Sequence, residues 1–208
     1  MPELDPLIRR AQDGDPQALR DLFHRYRADV ARIAFRVLGP SADLEDVVQE
    51  AFVQLYRSLA SYQGNAKFST WLYRVVTNVA RMHRRRERSR PQLESASKAQ
   101  LEQCTAAPGG PEADVERGER LRALYVHLEA LGDRKRTVLV LHDLVGLPAS
   151  EIAEIVGAPV MTVRTRLFYA RKELYASLAA DPALAEVTAQ PGERAVRATR
   201  DSSEDCDG

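Results

Sequence analysis

Apolar residues recurring every three or four positions, in runs closed by glycine or proline, constrain this chain more than any other feature. That spacing lays apolar side chains along one stripe of an α-helix, whereas a half-buried strand needs strict alternation. No convincing alternating run and no Asn-Gly hairpin signal occurs, so the chain is expected to be all-α. Pro16 fits the first turn of a helix that continues through Leu19, Leu22, Phe23, Tyr26, Val30, Ile33, Ala34, Val37 and Leu38 until Gly39-Pro40 ends it. Asp43 is placed to cap the next helix. Its apolar stripe is Leu44, Val47, Val48, Ala51, Phe52, Leu55 and Leu59, with Asp46, Gln49 and Glu50 on the opposite face. After a turn at Gly64-Asn65, Phe68, Trp71, Leu72, Val75, Val76 and Val79 predict a third helix that runs into a block of arginines.

Residues 91–111 read as a linker, because Pro91, Pro108, Gly109, Gly110 and Pro111 punctuate a stretch poor in large apolar groups. Two small helical domains, 1–90 and 112–180, are therefore expected. In the second, Val115–Leu131 and Arg134–Leu144 carry helical spacing, and a sharper pattern follows. Ser150–Val156 predicts a short helix, Gly157-Ala158-Pro159 a turn, and Val160–Leu178 a longer helix with Val163, Leu167, Leu174 and Leu178 inward. That is the spacing of a helix-turn-helix. Residues 181–208 are polar and acidic and are expected to be disordered.

Charge separates the candidate functions. Lys plus Arg and Asp plus Glu balance at 30 each, but residues 81–90 hold six arginines against one glutamate, and residues 181–208 hold three basic against seven acidic groups. A neutral chain with one dense basic block points to a local polyanion contact. The chain lacks a phosphate-cradling glycine loop, H-E-x-x-H and G-x-S-x-G, and its histidines are scattered, so catalysis and a cofactor are not expected. Cys104 and Cys206 have no C-x-x-C partner and read as free thiols. No window approaches 18 uninterrupted apolar residues and the first residues lack the pattern of a secretory signal, so a cytoplasmic protein without membrane insertion is expected.

A helix that enters a major groove needs arginine and small or polar side chains on one face and an apolar stripe on the other. Thr162, Arg164, Thr165, Arg166, Tyr169 and Arg171 against Val163, Leu167 and Leu174 supply both, although a merely solvated basic helix has the same composition. The arginine block has two readings as well: a phosphate-neutralising ridge, or a helix end complementing its macrodipole. Phe68, Trp71 and Tyr73 are suited to stacking on unpaired bases, but Phe68, Trp71 and Val75 share a stripe that favours core packing. The acidic face Asp46, Gln49, Glu50 is either a solvent face or a dock for a basic partner helix.

Three motifs stand in order: Asp43-Leu44-Glu45-Asp46-Val47-Val48-Gln49-Glu50-Ala51-Phe52; Phe68-Ser69-Thr70-Trp71-Leu72-Tyr73-Arg74-Val75-Val76-Thr77-Asn78; and Ile152-Ala153-Glu154-Ile155 with Pro159-Val160-Met161-Thr162-Val163-Arg164-Thr165-Arg166-Leu167 and Ala170-Arg171. Together they resemble bacterial RNA polymerase sigma factors of the sigma-70 family, extracytoplasmic function group, over residues 4–90 and 112–180. The resemblance implies that the first domain is the family's region two, which binds core polymerase and the −10 element, and that the second is region four, which reads the −35 element. It places Asp46, Gln49 and Glu50 against the β′ clamp helices and implies a contact with the β flap. It places Asn65, Lys67, Phe68 and Ser69 around a flipped −10 base, Asn78 with Arg84, Arg85 and Arg86 on the −10 duplex, and Arg164, Thr165, Arg166, Phe168, Tyr169 and Arg171 on the −35 element. Control by an anti-sigma factor is implied too. The chain departs from the family at Met82, where Asp or Asn is frequent, at Met161 in place of a turn glycine, and at Gly132 in place of a proline. A free-standing helix-turn-helix regulator is the rival reading, and it gives residues 43–80 no role.

Overall fold

The computed structural model describes residues 5–89 and 111–181, with backbone alone for 111–117. The expected linker core, the acidic tail beyond Asp181, Cys104 and Cys206 lie outside the described residues. Every regular element among the described residues is helical: α1 (Pro6–Gln12), α2 (Pro16–Leu38), α3 (Leu44–Leu59), α4 (Phe68–Ser89), α5 (Pro111–Ala130), α6 (Asp133–Leu139), α7 (Ala149–Val156) and α8 (Val160–Ala179).

The first four helices pack around α2, whose inward residues Leu22, Val30, Ile33, Ala34 and Val37 meet Val47, Ala51 and Leu55 of α3 and Leu72, Val76 and Ala80 of α4. α2 begins and ends where its sequence signals lie. The Asp15 carboxylate accepts from the amides of Gln17 (2.8 Å) and Ala18 (3.2 Å) behind Pro16. At the other end Gly39, with φ of 93°, donates its amide to Phe35. Three details differ from the sequence expectation. α1 was not foreseen; Asp5 caps it by accepting from Leu7 (3.0 Å), and Ile8 and Ala11 close the bottom of the core. Asp43 precedes α3 but makes no capping bond with its side chain, because its carboxylate lies toward His83 on α4, 3.9 Å away. The helix expected over Arg134–Leu144 is α6 followed by a π-helical turn, Val140–Leu144, in which the Val145 amide reaches back five residues to Val140 (3.0 Å). Val138, Leu139, Val140 and Leu141 are all buried there, as a helix sandwiched between neighbours on two sides requires.

The second domain is built from α5 to α8. Ile152, Ala153 and Ile155 of α7 and Val163, Leu167 and Ala170 of α8 are buried, with Leu174 half-buried against them. Gly157 ends α7 in the left-handed conformation (φ 62°), which lets the chain reverse in three residues and start α8 at Val160.

The two domains touch. The carbonyls at the carboxyl end of α2 have no partners within their own helix, and the second domain supplies them. Arg136 of α6 donates to the carbonyls of Val37 (2.9 Å) and Leu38 (3.3 Å), and the Tyr125 hydroxyl of α5 donates to that of Arg36 (3.0 Å). Gly39 does more than stop a helix, because a Cβ there would stand 2.7 Å from the Tyr125 ring. Arg136 is only 1% exposed, stacks its guanidinium over Tyr125 at 5.7 Å and pairs with Glu129 at 3.2 Å. Burial, helped by repulsion from Arg84, pushes Arg136 down to about 10, and burial pushes the Tyr125 phenol up to about 12.

Candidate nucleic-acid interface

α8 divides its residues by face. With Val163, Leu167 and Ala170 turned inward, Arg164, Thr165, Phe168 (65% exposed) and Tyr169 stand outward in one patch. Phe168 and Tyr169 meet edge to face at 5.4 Å, and Thr165 spends its hydroxyl proton on the Met161 carbonyl (2.9 Å). Arg166 is half-buried at the flank. Arg171 is committed within the domain: its Nε donates to Asp143 at 3.0 Å, a bond that raises the guanidinium's affinity for its proton. Burial opposes the charge on Asp143, but hydrogen bonds from Arg171 and His142 outweigh it and hold that carboxyl below the usual range.

The loop before α4 forms a second site. Asn65, Lys67, Phe68 and Ser69 line one open cavity of about 520 Å³ together with Asp5, Tyr26 and Tyr62. Asn65 and Lys67 are exposed on its rim, whereas Phe68 is 9% exposed and forms the floor. Its ring packs within 5.1 to 5.3 Å of Tyr26, Tyr62 and Trp71. Phe68 and Tyr73 are buried and Trp71 is half-buried, so all three pack in the domain rather than standing free. The sequence marks Tyr26 only as a position on the apolar stripe of α2, and it does not mark Tyr62 or Asp5 as site residues. Tyr62 shapes the loop by donating to the Ala66 carbonyl (2.7 Å), and Gln12 of α1 ties its base by donating to the carbonyls of Leu59 (2.9 Å) and Tyr62 (2.8 Å). Tyr62→Phe is expected to cost about 1 kcal/mol of stability and to speed amide exchange at Gly64–Lys67 selectively, as hydrogen-exchange mass spectrometry measures.

Along α4, Asn78, Arg85 and Arg86 are exposed, and Arg86 reaches Glu50 at 3.7 Å. Arg84 is different. It is 5% exposed and forks between Glu129 (3.0 Å) and Asp133 (3.4 Å) of the second domain, while Arg81 binds Asp133 at 2.6 Å and Arg88 also grips Glu129. Part of the basic ridge thus already holds two carboxylates where phosphates would fit. The second domain reaches the loop as well, with the exposed Lys67 3.4 Å from Glu151 of α7. Burial alone would raise the Glu129 carboxyl, but Arg136, Arg88 and Arg84 outweigh it and lower its pKa from 4.5. A carboxyl lowered by its partners contributes stability that is complete above about pH 4.5 and is lost as pH falls through the lowered value. Closure of the two domains is therefore expected to weaken as pH falls below about 4.5, visible as a rising radius of gyration in small-angle scattering.

Asp46, Gln49 and Glu50 are all exposed on one face of α3, opposite Val47, Ala51 and Leu55. Val53 and Tyr56 continue this face as exposed apolar groups. Among the described residues one group, Asp43, His83 and Glu87, brings atoms of metal-ligand type within 4.8 Å of one another, but two of its members sit on the arginine-rich stretch of α4, whose charge opposes a cation. No helix among the described residues is long and apolar enough to cross a membrane.

Comparison with known proteins covers both domains. A family model described as Sigma-70 region 2 matches residues 22–90, and one described as Sigma-70, region 4 matches residues 121–174. The ECF RNA polymerase sigma-E factor of Escherichia coli strain K12 is 35% identical over 175 residues, which covers 81% of this chain and 90% of that one. Among solved structures, CnrH in complex with the cytosolic domain of CnrY superposes with a TM-score of 0.60 at 27% identity, covering 84% of this chain and 96% of that one. The sigma factor RpoE of Bartonella quintana, solved with the anti-sigma factor NepR, shares the fold with a TM-score of 0.56 at 18% identity over 78% of this chain and 97% of its own.

Proposed function

The chain belongs to the sigma-70 family of RNA polymerase subunits, in its extracytoplasmic function group, and directs promoter-specific transcription initiation; we propose how its residues divide that work. Residues 1–90 join core polymerase and engage the −10 element, residues 112–180 read the −35 element, 91–111 tether them, and 181–208 form an appended acidic tail. The protein supplies promoter choice and leaves the chemistry to the polymerase in the cytoplasm.

The observation that carries this reading is the outward patch of α8, in which Arg164, Thr165, Phe168 and Tyr169 stand on the face opposite the buried stripe. Arginine reads guanine edges in the major groove, and an aromatic edge packs on a thymine methyl. Arg166 lies at the flank and positions a phosphate, and Arg171 joins it only when Asp143 releases it. Around the cavity before α4, Asn65, Lys67 and Ser69 hold a base extruded from the −10 element over the Phe68 floor; extrusion costs a few kcal/mol, which pocket contacts offset. Asn78, Arg85 and Arg86 contact the adjoining duplex, and Arg84 joins them when Glu129 and Asp133 release it. Asp46, Gln49 and Glu50 dock on the β′ clamp helices, and the second domain meets the β flap.

Reading both elements requires the domains to part. Elements centred 25 base pairs apart, as the numbers −10 and −35 state, lie about 85 Å apart along the duplex. In the structure Lys67 and Glu151 are 3.4 Å apart. Residues 90–110 can span at most about 75 Å when extended, and the domains' own dimensions supply the rest. CnrH and the Bartonella RpoE were each solved with a partner protein, and an anti-sigma factor that masks these same surfaces fits this chain.

Arg164→Ala tests the reading. It is expected to weaken −35 recognition by holoenzyme by about 1–3 kcal/mol and to relax preference at one base position, with core binding unchanged. Wild-type holoenzyme that binds intact and scrambled −35 sequences equally would contradict it.

A further inference from the structure

One cavity of about 350 Å³ is walled by both domains. Arg81 of α4 lines one side, and Arg134 and Thr137 of α6, Gly157 of the turn and Arg166 of α8 line the other. Three arginines therefore line a single space, and their charges are unequally matched. Arg81 pairs with Asp133 at 2.6 Å, but Asp133 also serves Arg84 at 3.4 Å. Among the described residues no carboxylate lies within ion-pair distance of Arg134 or Arg166. Thr137, whose neutral hydroxyl donates to the Asp133 carbonyl (2.7 Å), carries no charge to balance them. Gly157 leaves the lip of the cavity open, since nothing stands within 4 Å of where a Cβ would lie.

Excess positive charge in a cleft with protein walls focuses the field on its contents, and the planar fork of arginine matches the oxygens of phosphate. The volume is that of a small-ligand site. We propose that this interdomain cleft binds a small anion bearing two or more phosphate groups, a pyrophosphate or a nucleoside polyphosphate, and that the ligand holds the domains together. Such a ligand bridges Arg81 to Arg134 and Arg166 only while the domains are closed, and an anion that binds one of two states shifts the protein toward that state. It opposes promoter reading, which needs the domains apart. Duplex DNA engaged at both elements does not meet all three arginines at once, because Arg81 and Arg166 then belong to separated bodies. The site itself stands on the closed geometry alone and does not depend on the assignment of promoter contacts.

The test is a calorimetric titration of the full chain with pyrophosphate, followed in parallel by small-angle scattering. Wild-type protein is expected to bind one equivalent saturably, with a radius of gyration that stays constant or falls. Arg134→Ala, an exposed position outside the core, is expected to weaken binding at least tenfold, and Arg57→Ala on α3 to leave it unchanged. The absence of saturable binding, an equal loss in both variants, or expansion of the protein on binding would overturn the proposal. So would displacement of pyrophosphate by a 20-base-pair duplex whose own binding is equally sensitive to Arg134→Ala, which would make the cleft a contact for the DNA backbone.

Discussion

Reversing Asp46 and Glu50 to lysine together is expected to abolish assembly with core RNA polymerase, a loss of more than a hundredfold in affinity, while leaving the helical content and melting of the free protein nearly unchanged. Both side chains are exposed on α3, and the stripe that holds the helix in the core, Val47, Ala51 and Leu55, is on the other face. Among the described residues the ion pair sacrificed is that between Glu50 and Arg86, 3.7 Å apart on the surface, and exposed pairs of that kind contribute about 0–1 kcal/mol. Placing like charges against a basic docking surface, by contrast, costs several kcal/mol. Co-elution with core polymerase at wild-type levels would remove the acidic face from the account.

Arg136→Ala is expected to produce the second large effect, on the relation between the domains rather than on either one. Truncation leaves the Val37 and Leu38 carbonyls at the end of α2 without donors and deprives Glu129 of a partner. Removing one member of a buried ion pair costs about 3–5 kcal/mol; Glu129 is partly open to solvent, which places this case at the low end. The radius of gyration of the free chain is expected to rise, and Arg84, Arg81 and Lys67 to become accessible together. An unchanged scattering profile would show that α5 and α6 are held against α2 by something other than this guanidinium.

The acidic face of α3 and Arg136 mark what could and could not be read in the sequence. The acidic face was legible because it follows from the helical period of α3, and α2 was legible at both ends because Pro16 and Gly39-Pro40 are local signals. The helix-turn-helix was legible through Gly157 and the buried positions of α8. What escaped was long-range. Nothing near Arg136 in the chain distinguishes it from the other arginines, since its burial is created by carbonyls almost a hundred positions away. Gly39 read as a helix stop, and its second role, admitting the Tyr125 ring, depends on another domain. Arg84 did carry a signal: Val76, Ala80 and Arg84 step by four along the buried stripe of α4, so the last member of that row was bound to face inward. α1 is too short, at seven residues, for its two buried positions to establish a period. The π-helical turn leaves no compositional mark, because widening a helix by one residue changes its hydrogen bonds and not its residue types.

The closed arrangement gives the two domains a shared logic. Carboxylates of the second domain occupy arginines of the first that are suited to phosphate, so the free chain keeps part of its own basic ridge neutralised. Separation onto a large enzyme and a long duplex is expected to offer phosphates in exchange to arginines that the closed chain pairs with carboxylates, Arg84 first among them.

The most direct measurement is transcription by purified core RNA polymerase on genomic DNA, with and without this protein, followed by mapping of transcript starts. The account predicts starts that appear only with the protein, each preceded by paired −10 and −35 elements at constant spacing. A chain that left the starts unchanged, yet bound a single two-fold symmetric site by itself, would contradict it.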